Sequence, residues 1–314
     1  TGVAPNIFTD NVRNYYDRYK YYFRVMPTNS TTAGGQMFYY FATMIGTMNY
    51  LYGAGTIHEI GVIAEDVTWT ESMTEFLSEY IPYTGCVIPE DCLIRYDMNL
   101  SWADMNTYMQ TMIYNGVDMI IPVISGQGGI MMMQQYAALK PNAIVVGIDA
   151  QSQLDTFWEQ SQASCAYETV MQALYDVNKT PTSKAFWAAF RAEWDHDPFY
   201  TAIGAYDAVN NLAWAIETGQ TIDNDELIPV LENKTKANIL SNPSAFPSSP
   251  SGLGAWWPNS HEVVGGFPYG YTLWVQWTPY GTKQVVPGFD YGDTYIAPCG
   301  TYLLPPWVEA TWSA

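Results

Sequence analysis

The chain has 314 residues, enough for one or two domains, and carries 12 Lys and Arg against 31 Asp and Glu, a formal charge of −19. So few cations exclude a nucleic-acid or anionic-membrane surface, because phosphate recognition needs clustered Lys and Arg. No apolar run reaches the 18 or so residues of a membrane-spanning helix.

Taken in chain order, YYFRVMP (21–27) predicts a strand closed by Pro27. The segment 28–53 opens with capping residues and runs helical to the break at Gly53 and Gly55. IGVIAED (60–66) is a buried strand, and TWTESMTEFLSEYI (68–81) is a helix capped by Thr68 or Thr70. CLIRYDM (92–98) is a strand, followed by a helix that Ser101 and Asp104 start and Gly116 stops. DMIIPVI (118–124), GGIMMMQQYAALK (128–140) and AIVVGID (143–149) continue as strand, helix, strand. This alternation predicts an α/β fold with a doubly wound parallel sheet. Helical patterns follow at 153–161, 183–194, 198–219 and 224–234. The stretch 241–260 is Pro-, Ser- and Gly-rich and predicts a long loop; 269–288 predicts a β-hairpin, and the last twenty or so residues an irregular wrap.

In such a sheet, ligands sit outside the carboxyl ends of the strands. Those ends deliver Glu65, Asp66 and Trp69, then Ser125, Gly126 and Gln127, then Asp149 and Gln151. An aromatic, a glycine-lined polar turn and carboxylates on one rim suit a small, partly apolar ligand that carries a cation. Each Asp or Ser taken singly is as readily a helix cap, and Trp69 as readily a core residue.

The ordered series YYFRVMPTNSTTAGGQ, IGVIAEDVTWTESM, FYTAIGAYDAVNNLAWAIETG and YTLWVQWTPYGTKQVVP resembles the type I periplasmic substrate-binding proteins of branched-chain amino acid ABC importers, over roughly residues 20–290. The resemblance implies a two-lobed fold. Residues 1–27 and 198–265 would be a remnant of an incomplete first lobe, 28–197 the second lobe, and 266–314 a C-terminal hairpin and aromatic tail. It implies a small amino-acid-like ligand, an importer permease as partner, and no enzymatic activity or cofactor. Among ligand contacts, Trp69 matches the aromatic over the ligand, Gln127 falls near a position that is often Tyr, and Asp149 matches an acid that pairs with the ligand's amino group; Asp66 and Ser125 complete the rim. The family carries a further stretch at its start, so a separate N-terminal lobe fragment or a neighbouring subunit is an expected partner.

Cys86, Cys92, Cys165 and Cys299 allow three pairings, of which a Cys86–Cys92 loop with a long-range Cys165–Cys299 bridge is one; four free thiols are the alternative. Sequons stand at Asn29, Asn99, Asn178 and Asn233. With the even cysteine count and low lysine, and with no leader-like segment in these residues, they favour a processed, extracellular or cell-surface protein. No metal or catalytic motif is present: His58, His196 and His261 are far apart, and WDHDPF (194–199) reads as a solvated turn. The methionines at 131–133 read as core. Two functions compete: a solute-binding protein for an importer, and a cell-surface structural or filament subunit of the same fold whose aromatic C-terminus docks on a neighbour.

Overall fold

The computed structural model describes residues 6–25, 29–233, 256–257, 259–264, 271–286 and 300–314. The chain divides into two compact units. The first holds Thr1–Gln36, Ala173–Thr272 and Tyr291–Pro298; the second holds Met37–Gln172, Leu273–Asp290 and Cys299–Ala314.

The second unit is built on one seven-stranded sheet in the order β2-β1-β3-β4-β5-β6-β7. Its strands are β1 Ile60–Glu65, β2 Leu93–Tyr96, β3 Met119–Ile124, β4 Ile144–Asp149, β5 Thr169–Gln172, β6 Leu273–Trp277 and β7 Lys283–Val285. The first five run parallel; β6 lies antiparallel to β5, and β7 to β6. Every residue of β1, β3 and β4 is buried. Continuous apolar runs of this kind are what a parallel strand needs when helices cover both faces. Pro122 is unusual in a central strand, since it cannot donate to the ladder. It fits because Gly147 on β4 has no side chain; a methyl group there would collide with the Pro122 carbonyl.

Helices α4 (Thr68–Tyr80), α5 (Trp102–Tyr114) and α6 (Gly128–Leu139) follow β1, β2 and β3. The capping box of Ser101 and Asp104 forms as the sequence predicts. Met105, Met109 and Met112 of α5 face Met132 and Met133 of α6 in one core with Ile63, Ile120 and Trp277. The triple methionine is thus largely core. Thr68 and Thr70 do not cap α4: its N-cap is Val67, and the Thr70 hydroxyl donates back to the Glu65 carbonyl at 2.7 Å.

Cys86 and Cys92 are separate buried thiols, not a bridge. The Cys86 Sγ donates to the Ile57 carbonyl at 3.5 Å, while the turn Glu90–Cys92 carries Cys92 into the core. Burial pushes both thiols up, Cys92 to about 11. Cys165 is also a buried thiol, and Cys299 lies outside the described residues. The helix expected over 153–161 shrinks to the single turn α7, Phe157–Gln160. The tail is not irregular throughout: Pro306 opens a last helix, Pro306–Trp312. The Gln276 amide and the Leu303 backbone bond each other at 2.9 Å both ways, and Trp307 Nε1 donates to the Pro141 carbonyl. The aromatic tail therefore docks within its own unit.

The first unit contains α1 (Ile7–Asn14) and α2 (Tyr16–Tyr19), which the sequence pattern does not announce, the start of α3 (Ser30–Tyr52), and α8 (Ser183–Trp194), α9 (Tyr200–Gly219) and α10 (Asn224–Glu232). The closing helix of the second unit is accordingly α11. Tyr22–Val25 forms no strand. The Arg24 amide donates to the His261 carbonyl at 3.1 Å. A core of Leu174, Trp187, Ile203, Trp256 and Val263 lies beside a buried Arg24–Glu262 ion pair at 2.7 Å. Thr9 completes that pair, donating to Glu262 and accepting from Arg24. Most of the expected loop 241–260 lies outside the described residues.

Candidate functional site

The strand order reverses between β1 and β3: the connection after β1 runs to one side and the one after β2 to the other. A crevice forms at such a switch point. Here it is organised by Glu65, the last residue of β1. Its carboxylate accepts from the Ser125 hydroxyl and the Gly126 amide, both at 2.6 Å. A charge buried to this extent is tolerable only with such partners. The bonds fix the turn after β3 against the end of β1.

The network continues across the sheet. The Gln151 side chain donates to the Ser125 carbonyl at 3.0 Å. Asp149, at the end of β4, accepts from the amides of Gln151 at 3.0 Å and Ser152 at 3.4 Å. The Ser152 hydroxyl donates to Glu168 at 2.7 Å, and Trp277 Nε1 donates to the Ser152 carbonyl and hydroxyl oxygens. Burial pushes the Asp149 carboxyl up to about 7, opposed by its two amide donors and reinforced by Glu65. Burial, then Asp149, holds Glu168 well above the usual carboxylate range.

Helix α6 opens on Gly128–Gly129 because two side chains press against it. A methyl group on Gly129 would fall on the Asp149 carboxylate, and one on Gly128 on the Tyr96 hydroxyl. The Tyr96 phenol is raised by burial and then by Glu65 and Asp149, so it stands neutral beside two carboxylates. One oxygen each of Asp149 and Glu168, and the Tyr96 hydroxyl, have no hydrogen-bond partner among the described residues.

The residues expected on the rim separate into two groups. Ser125 and Asp149 belong to the internal network. Asp66, Trp69 and Gln127 stand outside it: Asp66 and Gln127 are exposed and Trp69 is half-buried. Asp66 accepts from Arg95 on β2 at 2.8 and 3.0 Å. The sequence gives no sign of that pairing, because Arg95 comes from a neighbouring strand in register with Ala64. Glu65 has a legible signal, a charge ending an otherwise apolar strand. Glu168, Ser152 and Trp277 have none, since they meet only through β5 and β6. Among the described residues, no group of three or more His, Cys, Asp and Glu side chains is arranged to hold a metal ion. None of their helices is long and apolar enough to cross a membrane.

No protein-family model matches the chain, and no curated protein matches its sequence. Solved structures do match in fold. A protein assigned to a branched-chain amino acid ABC transporter from Silicibacter pomeroyi superposes with a TM-score of 0.72 at 13% identity, over 96% of this chain and 73% of its own. The chain has the fold of branched-chain amino acid substrate-binding proteins. The leucine-binding protein LivK from Thermotoga maritima matches at TM-score 0.61 and 12% identity, over 85% of this chain and 67% of that one. A solute-binding protein from R. palustris in complex with benzoate matches at 0.60 and 12%, over 82% and 62%. The chain thus spans 62–73% of the length of these structures.

Proposed function

We propose that this protein is a solute-binding protein that captures a small organic molecule, amino-acid-like in size, and serves an importer outside the cytoplasmic membrane. The observation that carries the reading is the switch point. There Glu65 clamps the turn after β3 through Ser125 and Gly126, and Asp66, Trp69 and Gln127 come from the turns and the first turn of α4 that follow β1 and β3. A preorganised polar rim with an aromatic is what a small-ligand site requires. The fold neighbours support it, since LivK is named for leucine and the R. palustris protein was solved with benzoate. Trp69 packs over the ligand, and Gln127 and Asp66 supply its polar contacts, Asp66 by exchanging part of its pairing with Arg95. Asp149 would serve an ammonium group through the oxygen that accepts no hydrogen bond, while its other oxygen keeps the amides of Gln151 and Ser152.

The permease, and a further polypeptide that completes the first unit, belong to the same proposal. So do glycans on the sequons. A titration of intrinsic tryptophan fluorescence with leucine, and separately with benzoate, tests the reading. A saturable change is expected with at least one of them, and Trp69→Ala removes it. A flat response to both, with the protein folded, contradicts this ligand class.

The second reading, a structural subunit of the same fold, draws on the exposed aromatic surface. Tyr39, Tyr50, Tyr83, Tyr114 and Trp194 are all largely exposed. It loses the docking C-terminus, which is used internally.

A further inference from the structure

Helices α3 and α4 of the second unit share a surface whose composition the core does not explain. Thr70, Met73, Thr74 and Leu77 of α4 face inward. Beside them, Phe76 and Tyr80 stack at 4.2 Å and 13°. Phe38 of α3 sets its ring edgewise to both, at 6.4 and 5.9 Å. Tyr83 extends the row from Tyr80 at 5.8 Å, and Tyr39 extends it from Phe38 at 6.3 Å. Tyr39 is 66% and Tyr83 79% exposed, so the row of rings runs out to solvent at both ends. A contiguous aromatic surface of this kind marks an interface, and Tyr is among the residues that carry binding energy.

The charge beside the rings points to the occupant. Glu71, Glu75 and Glu79 of α4 are exposed and recur every fourth residue, where like charges repel. Glu79 also sits in the last turn, at the negative end of the helix. Among the described residues no Lys, Arg or His pairs with any of the three, and α4 itself contains no cation. A carboxylate row alone is an ordinary solvated face in a chain of charge −19. Glu75 and Glu79 differ because each stands next to a ring of the stack, Phe76 and Tyr80. Carboxylates beside aromatic rings suit a cation. A guanidinium suits them best, since it stacks flat on a ring and takes a carboxylate through two N–H groups. A second copy is a poor occupant, because a symmetric contact would bring two glutamate rows together. The same row repels polyanions and anionic membranes.

We propose that Tyr39, Phe76, Tyr80 and Tyr83, with Glu75 and Glu79, form a docking surface for an arginine-bearing segment of a separate protein. Tyr80 stands about 16 Å along α4 from Trp69, at 1.5 Å per residue. The surface therefore lies at the far end of that helix from the switch-point rim, and it does not draw on the solute-binding reading.

The test follows the fluorescence anisotropy of a labelled arginine–glycine dodecapeptide as the protein is added at physiological ionic strength. Lysine–glycine and glutamate–glycine peptides serve as comparisons. Expected is saturable binding of the arginine peptide, weaker binding of the lysine peptide and none of the glutamate peptide. In the unsubstituted protein, the arginine peptide is expected to slow hydrogen exchange over residues 38–40 and 76–85, and not over α8 or α10. Tyr39→Ala with Tyr83→Ala, and separately Glu75→Gln with Glu79→Gln, are expected to weaken binding about tenfold or more. All four side chains are exposed, so the circular dichroism of these variants stays unchanged. Glu193→Gln with Asp195→Asn removes two charges from exposed positions at the end of α8 and is expected to leave the affinity unchanged. Equal weakening by that control shows unspecific attraction to an acidic chain and overturns the inference. So do an absence of arginine-peptide binding, equal binding of the lysine peptide, and unchanged affinity in the Tyr39–Tyr83 or the Glu75–Glu79 variant. Exchange over 38–40 and 76–85 that slows with protein concentration alone identifies a second copy and overturns it as well. Titration with leucine and benzoate remains a separate measurement, so the docking surface and the solute-binding reading fail independently.

Discussion

Asp149 places a carboxyl group where water does not reach, and the consequence is a stability that depends on pH. Its folded value is raised to about 7, mainly by burial, and Glu168 is raised in the same direction. An unfolded carboxyl titrates near 4. A raised acid binds more protons in the folded state, so its contribution is fully present below about pH 4 and is lost as pH rises through about 7. Asp149→Asn keeps an oxygen for the amides of Gln151 and Ser152 while abolishing the charge. Thermal unfolding should therefore give a higher Tm for the variant at pH 8, and little difference at pH 4. Gly129→Ala is expected to cost about 1–3 kcal/mol or more in chemical denaturation, because its methyl group falls on the Asp149 carboxylate. The sequons differ at this scale too. Asn99, Asn178 and Asn233 are exposed, whereas the Asn29 side chain accepts from the Thr32 amide at 2.8 Å and is half-buried. Deglycosylation followed by mass measurement should find glycans on the first three and not on Asn29.

Elements differ in how much of them the sequence reveals, and the reason is where their partners lie. Strands β1, β3 and β4 are legible because each is an apolar run that ends at a polar turn, and both properties are local. Strand β5 is four residues long, TVMQ, with polar ends, and it exists because β4 and β6 bond it from both sides. Residues 22–25 show the converse: their strand-like composition yields no strand where the bond of the Arg24 amide to the His261 carbonyl is not extended into a ladder. In the site, the rim of Asp66, Trp69 and Gln127 follows from strand order alone. The buried row of Glu65, Asp149 and Glu168 depends on side chains from four strands and their turns. The first unit also has a clamp invisible in the sequence. Lys179 Nζ donates to the Ala173 carbonyl at 2.7 Å and to that of Tyr271, just beyond the paired ends Gln172 and Leu273 of β5 and β6. Burial lowers this ammonium to about 7, against Asp207. Lys179→Met leaves two carbonyl oxygens without their donor, at about 1–3 kcal/mol each. Hydrogen exchange is expected to quicken around residues 173 and 271 in that variant; unchanged exchange would show that the clamp is dispensable.

At the scale of the whole molecule, few cations and a parallel sheet with a polar rim point away from polyanions and towards a small ligand. The central claim is that a ligand binds the folded chain. The most direct measurement is the Tm of the protein against increasing leucine and, separately, benzoate, at fixed protein concentration and again at a tenfold higher one. Binding to the folded state alone adds RT ln(1 + [L]/Kd), about 2.7 kcal/mol at a hundredfold excess over Kd. The expected result is a Tm that climbs with the logarithm of one of these ligands and that, in Trp69→Ala, no longer climbs from that variant's own unliganded value. A Tm that ignores both ligands and rises instead with protein concentration would contradict solute binding and favour a subunit of an assembly.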